Sequence, residues 1–252
     1  MFLVVRKKKV IAAIVLIAIL ITGAALALHG TLTAQAGNKL LPIYGVENEE
    51  GKVGLSFDAA WGADKTEQIL DLLDEYGMKA TFFLVGFWVD KYPDLVKEIY
   101  DRGHLVANHS TNHPHFNELS ESDMLLEVET TAEKITAITG EEVKYFRAPY
   151  GEYNDALIKL LQERDIKCIQ WTVDSLDWKG LSGKEIAERI LNKVQSGSII
   201  LCHNNSDHIV DALPLVLLGL KNKGLTSVRM DELTIEENYY VDNNGIQHSV
   251  QQ

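Results

Sequence analysis

Val53-Gly-Leu-Ser-Phe57, closed by Asp58, is the stretch on which the fold reading turns. It is short and uncharged until its last residue, and most of the runs like it further on are continuous apolar stretches. Such runs fit strands covered on both sides in a parallel sheet. Outward along the chain the same type recurs at Ala80–Val85, His104–Asn108, Val143–Arg147, Lys167–Val173, Ser198–His203 and Thr226–Arg229. Helical stretches fall between them. Thr66–Tyr76 places Ile69, Leu72, Leu73 and Tyr76 on one stripe, and Gly77 follows as a stop. Ser182-Gly-Lys-Glu185 reads as a capping box opening a helix through Val194. Leu119–Ile138, Leu157–Glu163 and Val210–Lys221 complete the set, the last despite Pro214. Seven strands with intervening helices predict one parallel α/β domain over residues 51–233, either a barrel or an open sheet. In both, chemistry gathers at the C-terminal strand ends.

Composition agrees with a folded body. Of 252 residues, 46% are hydrophobic, 24% are charged and five are proline, which excludes a disordered or collagen-like chain. The net charge is −12. Setting aside Arg6, Lys7, Lys8 and Lys9, which precede any acid, the remainder stands at −16. A body so acidic repels phosphate backbones, so nucleic acid is not expected as a partner. Cys168 and Cys202 sit inside apolar runs and read as buried small residues; two cysteines make neither a disulfide framework nor a zinc cluster.

Val10 to Leu28 is uncharged and almost wholly apolar, directly after the basic cluster. At about 1.5 Å per residue, a helix of that length approaches the roughly 30 Å bilayer core. Basic residues before it and none just after it put the N-terminus in the cytoplasm and the rest outside. The competing reading is a cleaved signal peptide, because Ala34-Gln35-Ala36 is a small-x-small site. Residues 1–36 are therefore expected to be a basic stub with a transmembrane anchor or signal peptide. Either way the body is exported, anchored in type II orientation or secreted. Residues 37–50 read as a polar linker. Residues 234–252 read as a polar tail or late hairpin turning at Asp242-Asn-Asn-Gly245.

The residues at the strand exits are more pointed than composition. The first strand ends in Asp58, and the third in Asn108-His109-Ser-Thr-Asn-His113-Pro114. The fourth ends in Arg147-Ala-Pro-Tyr150-Gly151, the fifth in Asp174-Ser-Leu-Asp177-Trp178, and the sixth in Leu201-Cys-His203. His109 and His113 lie four apart, so a single helical turn would point both imidazoles at a shared metal. Asp58 ends a buried strand, where an unpaired carboxylate is costly; it suits a general base, held ionised by Arg147. His203, oriented by Asp174, suits a general acid. Trp178 and Tyr150 either wall a pocket or merely pack. No Gly-x-Ser-x-Gly elbow occurs, which excludes the common serine hydrolase arrangement.

These ordered blocks resemble the five motifs of the polysaccharide deacetylase family, the NodB-type homology domain of carbohydrate esterase family four, over about Val53 to Leu233. Ser56-Phe-Asp-Ala-Ala-Trp-Gly62 and Asp211-Ala-Leu-Pro214 are similar to its sporulation-associated branch. The resemblance implies a distorted (β/α) barrel of about seven strands and removal of N-acetyl groups from glycan such as peptidoglycan. It implies Asp58 as base, His109 and His113 as ligands of a divalent metal, zinc or alternatively cobalt, and Arg147 as the positioner of Asp58. It also implies the Tyr150 N–H as an oxyanion donor, Asp174 as the tuner of His203, and Trp178 and Leu201 as walls of the acetyl pocket. One departure stands out. The family's first motif usually carries a second aspartate, the third metal ligand, where this chain has Ala59. A methyl group cannot ligate, so metal occupancy is in question. The expectations are an active enzyme with a weaker metal site, one with little metal help, or a retired site that only binds glycan.

Overall fold

Strand alternation decides which side chains reach the site. The computed structural model describes residues 39–250. Its strands, in chain order, are β1 (Gly45–Val46), β2 (Lys52–Ala59), β3 (Thr81–Leu84), β4 (Leu105–Asn108), β5 (Tyr145–Phe146), β6 (Lys167–Cys168), β7 (Val173–Asp174), β8 (Ile199–His203), β9 (Thr226–Ser227), β10 (Tyr239–Val241) and β11 (Ile246–Ser249). Seven form a parallel sheet in the order β6-β5-β4-β3-β2-β8-β7, and β9 pairs with the first residues of β2. The fold is the expected distorted α/β barrel, seen as a curled half-barrel. Val53, Leu55, Phe57 and Ala59 of β2 pack in the large core under the helices, with Phe82 and Leu84 of β3 and Ile200 and Cys202 of β8. The alternate positions face inward. Phe83 and Ile199 join an inner cluster with Met230 and Leu233, whereas Asp58, Leu201 and His203 open onto the cleft at the C-terminal rim. Period 2 thus puts structural residues on one face and chemistry on the other.

The predicted strand Lys167–Val173 is two strands at opposite ends of the sheet. Residues 169–172 span the barrel's seam, and the main chain of Ile43 fills it: its N–H donates to Cys168 O at 2.8 Å and its carbonyl accepts from Gln170 N–H at 2.7 Å. This corrects the linker reading of residues 37–50 over its described part, residues 39–50. Ile43 is 3% exposed, and β1 pairs in parallel with β11; two apolar anchors were hidden in a polar average. The late hairpin exists as β10–β11, closed at Gly245, whose φ of +79° suits a residue without Cβ because Tyr44 packs against it.

Helix Thr66–Tyr76 ends at Gly77 in the left-handed region, and Ser182 and Glu185 form the reciprocal capping box. Two helices, Gly86–Lys91 and Pro93–Asp101, were not expected. The first is too short for a periodic signal; the second starts with Pro93 at its first turn, where the missing N–H costs nothing. Cys168 and Cys202 are buried and unpaired with each other. The apolar run 10–28 and the site near Ala36 lie outside the described residues, among which no helix is long and apolar enough to cross a membrane.

Candidate active site

Asp58 is the last inward side chain of β2, and its burial would penalise a charge. Arg147, just past β5, answers it: Nη1 donates to Asp58 Oδ1 at 2.6 Å. The guanidinium is 0% exposed, lies 4.0 Å from the ring centre of Phe83 and 5.6 Å from that of Trp171, and donates from Nη2 to Gln170 O. Burial pushes the Asp58 carboxyl upward, but the charge of Arg147 foremost outweighs it and holds the acid below its ordinary range. Asp58 is therefore a carboxylate.

His109 follows β4, and its N–H is tied to Leu84 O. Nδ1 lies 2.8 Å from Arg147 O, and because a carbonyl only accepts, Nδ1 carries the proton. Burial lowers the imidazole's pKa, so the ring is neutral and Nε2 presents a lone pair 3.6 Å from Asp58 Oδ2. His113 is neutral too, lowered to about 4 by burial first and His109 second. Its ring sits 5.0 Å from that of His109, between Trp61 and Tyr150, with Nδ1 buried and unpartnered within the chain. The expected helical turn is absent. Ser110 and His113 have φ of 70° and 57°, so an irregular loop brings the rings together.

That loop is held by a residue the sequence pattern does not mark. Glu127, on helix Glu121–Thr139, accepts from Thr111 N–H at 2.8 Å, Asn112 N–H at 2.7 Å and the Asn112 amide at 2.6 Å. Replacing Glu127 by Ala should destabilise the fold by about 1–2 kcal/mol and speed hydrogen exchange at the Thr111 and Asn112 amides; unchanged protection there would show that other contacts hold the loop.

His203 ends β8, but its partner is not Asp174. Asp177 accepts from His203 N–H through Oδ2 at 2.8 Å and pairs with Nδ1 through Oδ1 at 2.7 Å. Asp174 instead accepts from Leu176 N–H through Oδ1, although it still lines the cleft. The reason is local: Leu176 takes φ 52° and a short 3-10 turn, Asp177–Lys179, carries Asp177 back under β8. Burial lowers the His203 pKa, but the bond and charge of Asp177 override it, so the imidazole titrates above its ordinary value. Leu201 forms the cleft floor, Trp178 and Tyr150 stand exposed at its rim, and Tyr150 stacks on His115 at 4.2 Å. His115 itself is half-exposed and bonds Glu152. The cleft has a volume of about 610 Å³, room for a sugar unit.

Does the donor set fit a metal? Two neutral imidazoles are in the ligating form, but Asp58 Oδ1 is committed to Arg147, and Ala59 contributes a methyl buried in the outer core. Among the described residues no three His, Cys, Asp or Glu side chains are grouped so as to hold a metal ion. The residues present do not fit a three-donor zinc site.

The fold and these blocks define an amide-hydrolase architecture, and comparison with known proteins agrees. The polysaccharide deacetylase profile matches residues 45–169. A peptidoglycan-N-acetylglucosamine deacetylase of Bacillus cereus is 35% identical over 73% of this chain and 68% of its own length. The crystal structure of the Bc1960 peptidoglycan N-acetylglucosamine deacetylase aligns with a TM-score of 0.74 at 33% identity, covering 77% of this chain and 94% of that one. A Bacillus anthracis pseudoenzyme of the same esterase family, BA3943, aligns with a TM-score of 0.74 at 31% identity, covering 83% and 73%; a mutant of BA3943 is described as having restored enzymatic activity. The chain belongs to the polysaccharide deacetylase family, an amide-hydrolase family that also holds the BA3943 pseudoenzyme.

Proposed function

We propose that this protein is an exported hydrolase that removes N-acetyl groups from N-acetylhexosamine units of a cell or spore envelope glycan, with peptidoglycan the leading substrate. One observation carries the reading: a carboxylate kept ionised by Arg147 and an imidazole biased toward its cation by Asp177 open onto the same cleft. Amide hydrolysis requires an activated water, charge stabilisation at the tetrahedral oxygen and a proton for a poor leaving group. Asp58 takes the proton from water as it attacks the acetyl carbon. The Tyr150 N–H serves the developing oxyanion. His203, as imidazolium, gives its proton to the departing sugar nitrogen, and Leu201 and Trp178 bound the acetyl methyl. No step is routed through a metal, since among the described residues the two imidazoles are not joined by a third side chain placed to complete a metal site. The test is acetate release from N-acetylglucosamine oligomers and from peptidoglycan, with chelator, zinc or cobalt. Release from any of these supports the reading, and none from a folded protein overturns it.

A specific observation favours a second reading, a glycan-binding protein without turnover. Ala59 removes the anionic donor that the family resemblance leads one to expect. Its signature is sugar binding with no acetate under any metal condition. The Ala59→Asp variant separates the two physically. Without metal, a carboxylate at this buried position lowers the melting temperature; where the side chain at the strand end turns to meet the two imidazoles, zinc restores it, because metal binding adds to folding stability. At free zinc about 100-fold above Kd the recovery is about 2.7 kcal/mol, while the parent responds little. Equal zinc responses in both would show that position 59 does not reach the imidazoles.

A further inference from the structure

Trp61 is 65% exposed. One edge of the indole rests on His113 at 5.0 Å and on Phe87 at 6.2 Å, leaving the rest of the ring at the cleft rim. The next residue, Gly62, is clamped: its carbonyl accepts from Trp88 Nε1 at 2.8 Å and from Asn204 Nδ2 at 3.1 Å. Its φ is +74°, and a Cβ there would lie 2.1 Å from Asn205 Nδ2, so only glycine lets Asn205 pack against this turn. The loop after His203 is thereby locked to the loop after Asp58. Asn204 also donates to Thr66 Oγ1, and Lys65 Nζ reaches Asn205 O at 3.3 Å.

Asn205 and Ser206 both line the cleft, and two of their atoms are unexplained by the fold. Asn205 Oδ1 and Ser206 Oγ are buried without any hydrogen-bond partner in the chain. Buried polar atoms left unpaired cost on the order of 1–3 kcal/mol each unless a water or a ligand group meets them, and in the lining of the cleft that Trp61 shares a ligand hydroxyl can do so. A pyranose ring presents what this trio lacks: an apolar face of C–H groups for the indole, and hydroxyls that both donate to Oδ1 and exchange bonds with Oγ.

We propose that Trp61, Asn205 and Ser206 form a sugar-binding subsite that seats a hexosamine ring adjacent to the one whose acetamide faces Asp58 and His203. The inference rests on the glycan reading above and deepens it: the preferred substrate is an oligomer, not a single sugar. Trp61 is the platform and Asn205 and Ser206 set the ring's orientation, so the subsite discriminates by chain length.

The experiment is calorimetric binding of N-acetylglucosamine and its tetramer to the full-length protein, the Trp61→Ala and Trp61→Phe variants, and Asn205→Ala. Because the Trp61 ring is largely exposed, its truncation should leave the melting temperature close to that of the parent, which is checked in parallel. The tetramer Kd is expected to rise about tenfold or more in Trp61→Ala, as for loss of an aromatic anchor. It should rise severalfold in Asn205→Ala, and the preference for tetramer over monosaccharide should collapse. Trp61→Phe should recover most of the affinity. Tetramer affinities within twofold of the parent in both alanine variants overturn the subsite, as does a parent with no length preference. Acetate release from the same preparations reports on hydrolysis separately. A parent that binds the tetramer through Trp61 but frees no acetate removes the hydrolytic reading and keeps the subsite. One that frees acetate with an unchanged KM in Trp61→Ala does the reverse.

Discussion

Asp58→Asn is expected to lower acetate release by about 10²–10⁴-fold, the span that a positioned general base contributes. The amide cannot accept a proton from water, yet it keeps an oxygen for Arg147 Nη1. The same change costs stability, because Arg147 is 0% exposed and loses its counter-charge. Removing one partner of a buried pair outright costs about 3–5 kcal/mol. Retention of the hydrogen bond makes Asn cheaper than Ala, and each kcal/mol is about 2–4 °C at this chain size. Asp58→Ala should therefore melt about 10 °C below the parent, with Asn between them. The acid dependence has a definite sign. The carboxyl is held low in the folded state, so its stabilising contribution is present above the unfolded value and is lost as pH falls through the folded one. That acid-side loss should vanish in Asp58→Asn. Near-parental turnover in a folded Asn variant would mean that another group acts as base.

The strands, their parallel pairing and the rim location of Asp58, His109, Arg147 and His203 were legible because each depends on local pattern. A continuous apolar run reports two-sided burial, and the residue that ends it reports the rim. What escaped depends on the chain doubling back. Glu127 sits 16 residues beyond Thr111 on a helix whose other acids are unremarkable, so nothing local marks it as the clamp of the histidine loop. The seam at residues 169–172 looks like mid-strand, since β6 and β7 differ only in which neighbour they meet across the closing barrel. Ile43 and Val46 were submerged in a polar segment because two anchors make no periodicity. Ala59 was legible as a missing donor. That no third side chain is placed to replace it among the described residues depends on the fold and is not marked by any local pattern.

Asp174 and Asp177 are the sharpest case, and they set the second large effect. The strand-end position and the family resemblance pointed to Asp174; the turn at Leu176 hands the role to Asp177. Asp177→Asn is expected to cut turnover by about 10²-fold, for a reason of valence. His203 offers Asp177 two donors, its backbone N–H and Nδ1–H, and a carboxylate accepts both. An amide has one acceptor and one donor end, so one of the two is left facing an N–H. Without the negative charge, burial dominates the His203 imidazole and its pKa falls. Since the proton donor is the cation, the alkaline limb of kcat/KM moves to lower pH, and the loss is largest on the basic side. The stabilisation that His203 gains from Asp177 is present below the unfolded imidazole value and fades as pH rises through the folded one; the variant should lack that fading. Asp174→Asn, which preserves an oxygen for Leu176 N–H, should cost less than about tenfold and leave the limb nearly in place. A pH–rate profile on both variants decides the matter: if Asp174→Asn shifts the alkaline limb as far as Asp177→Asn does, the bidentate contact is not what prepares His203 to deliver its proton.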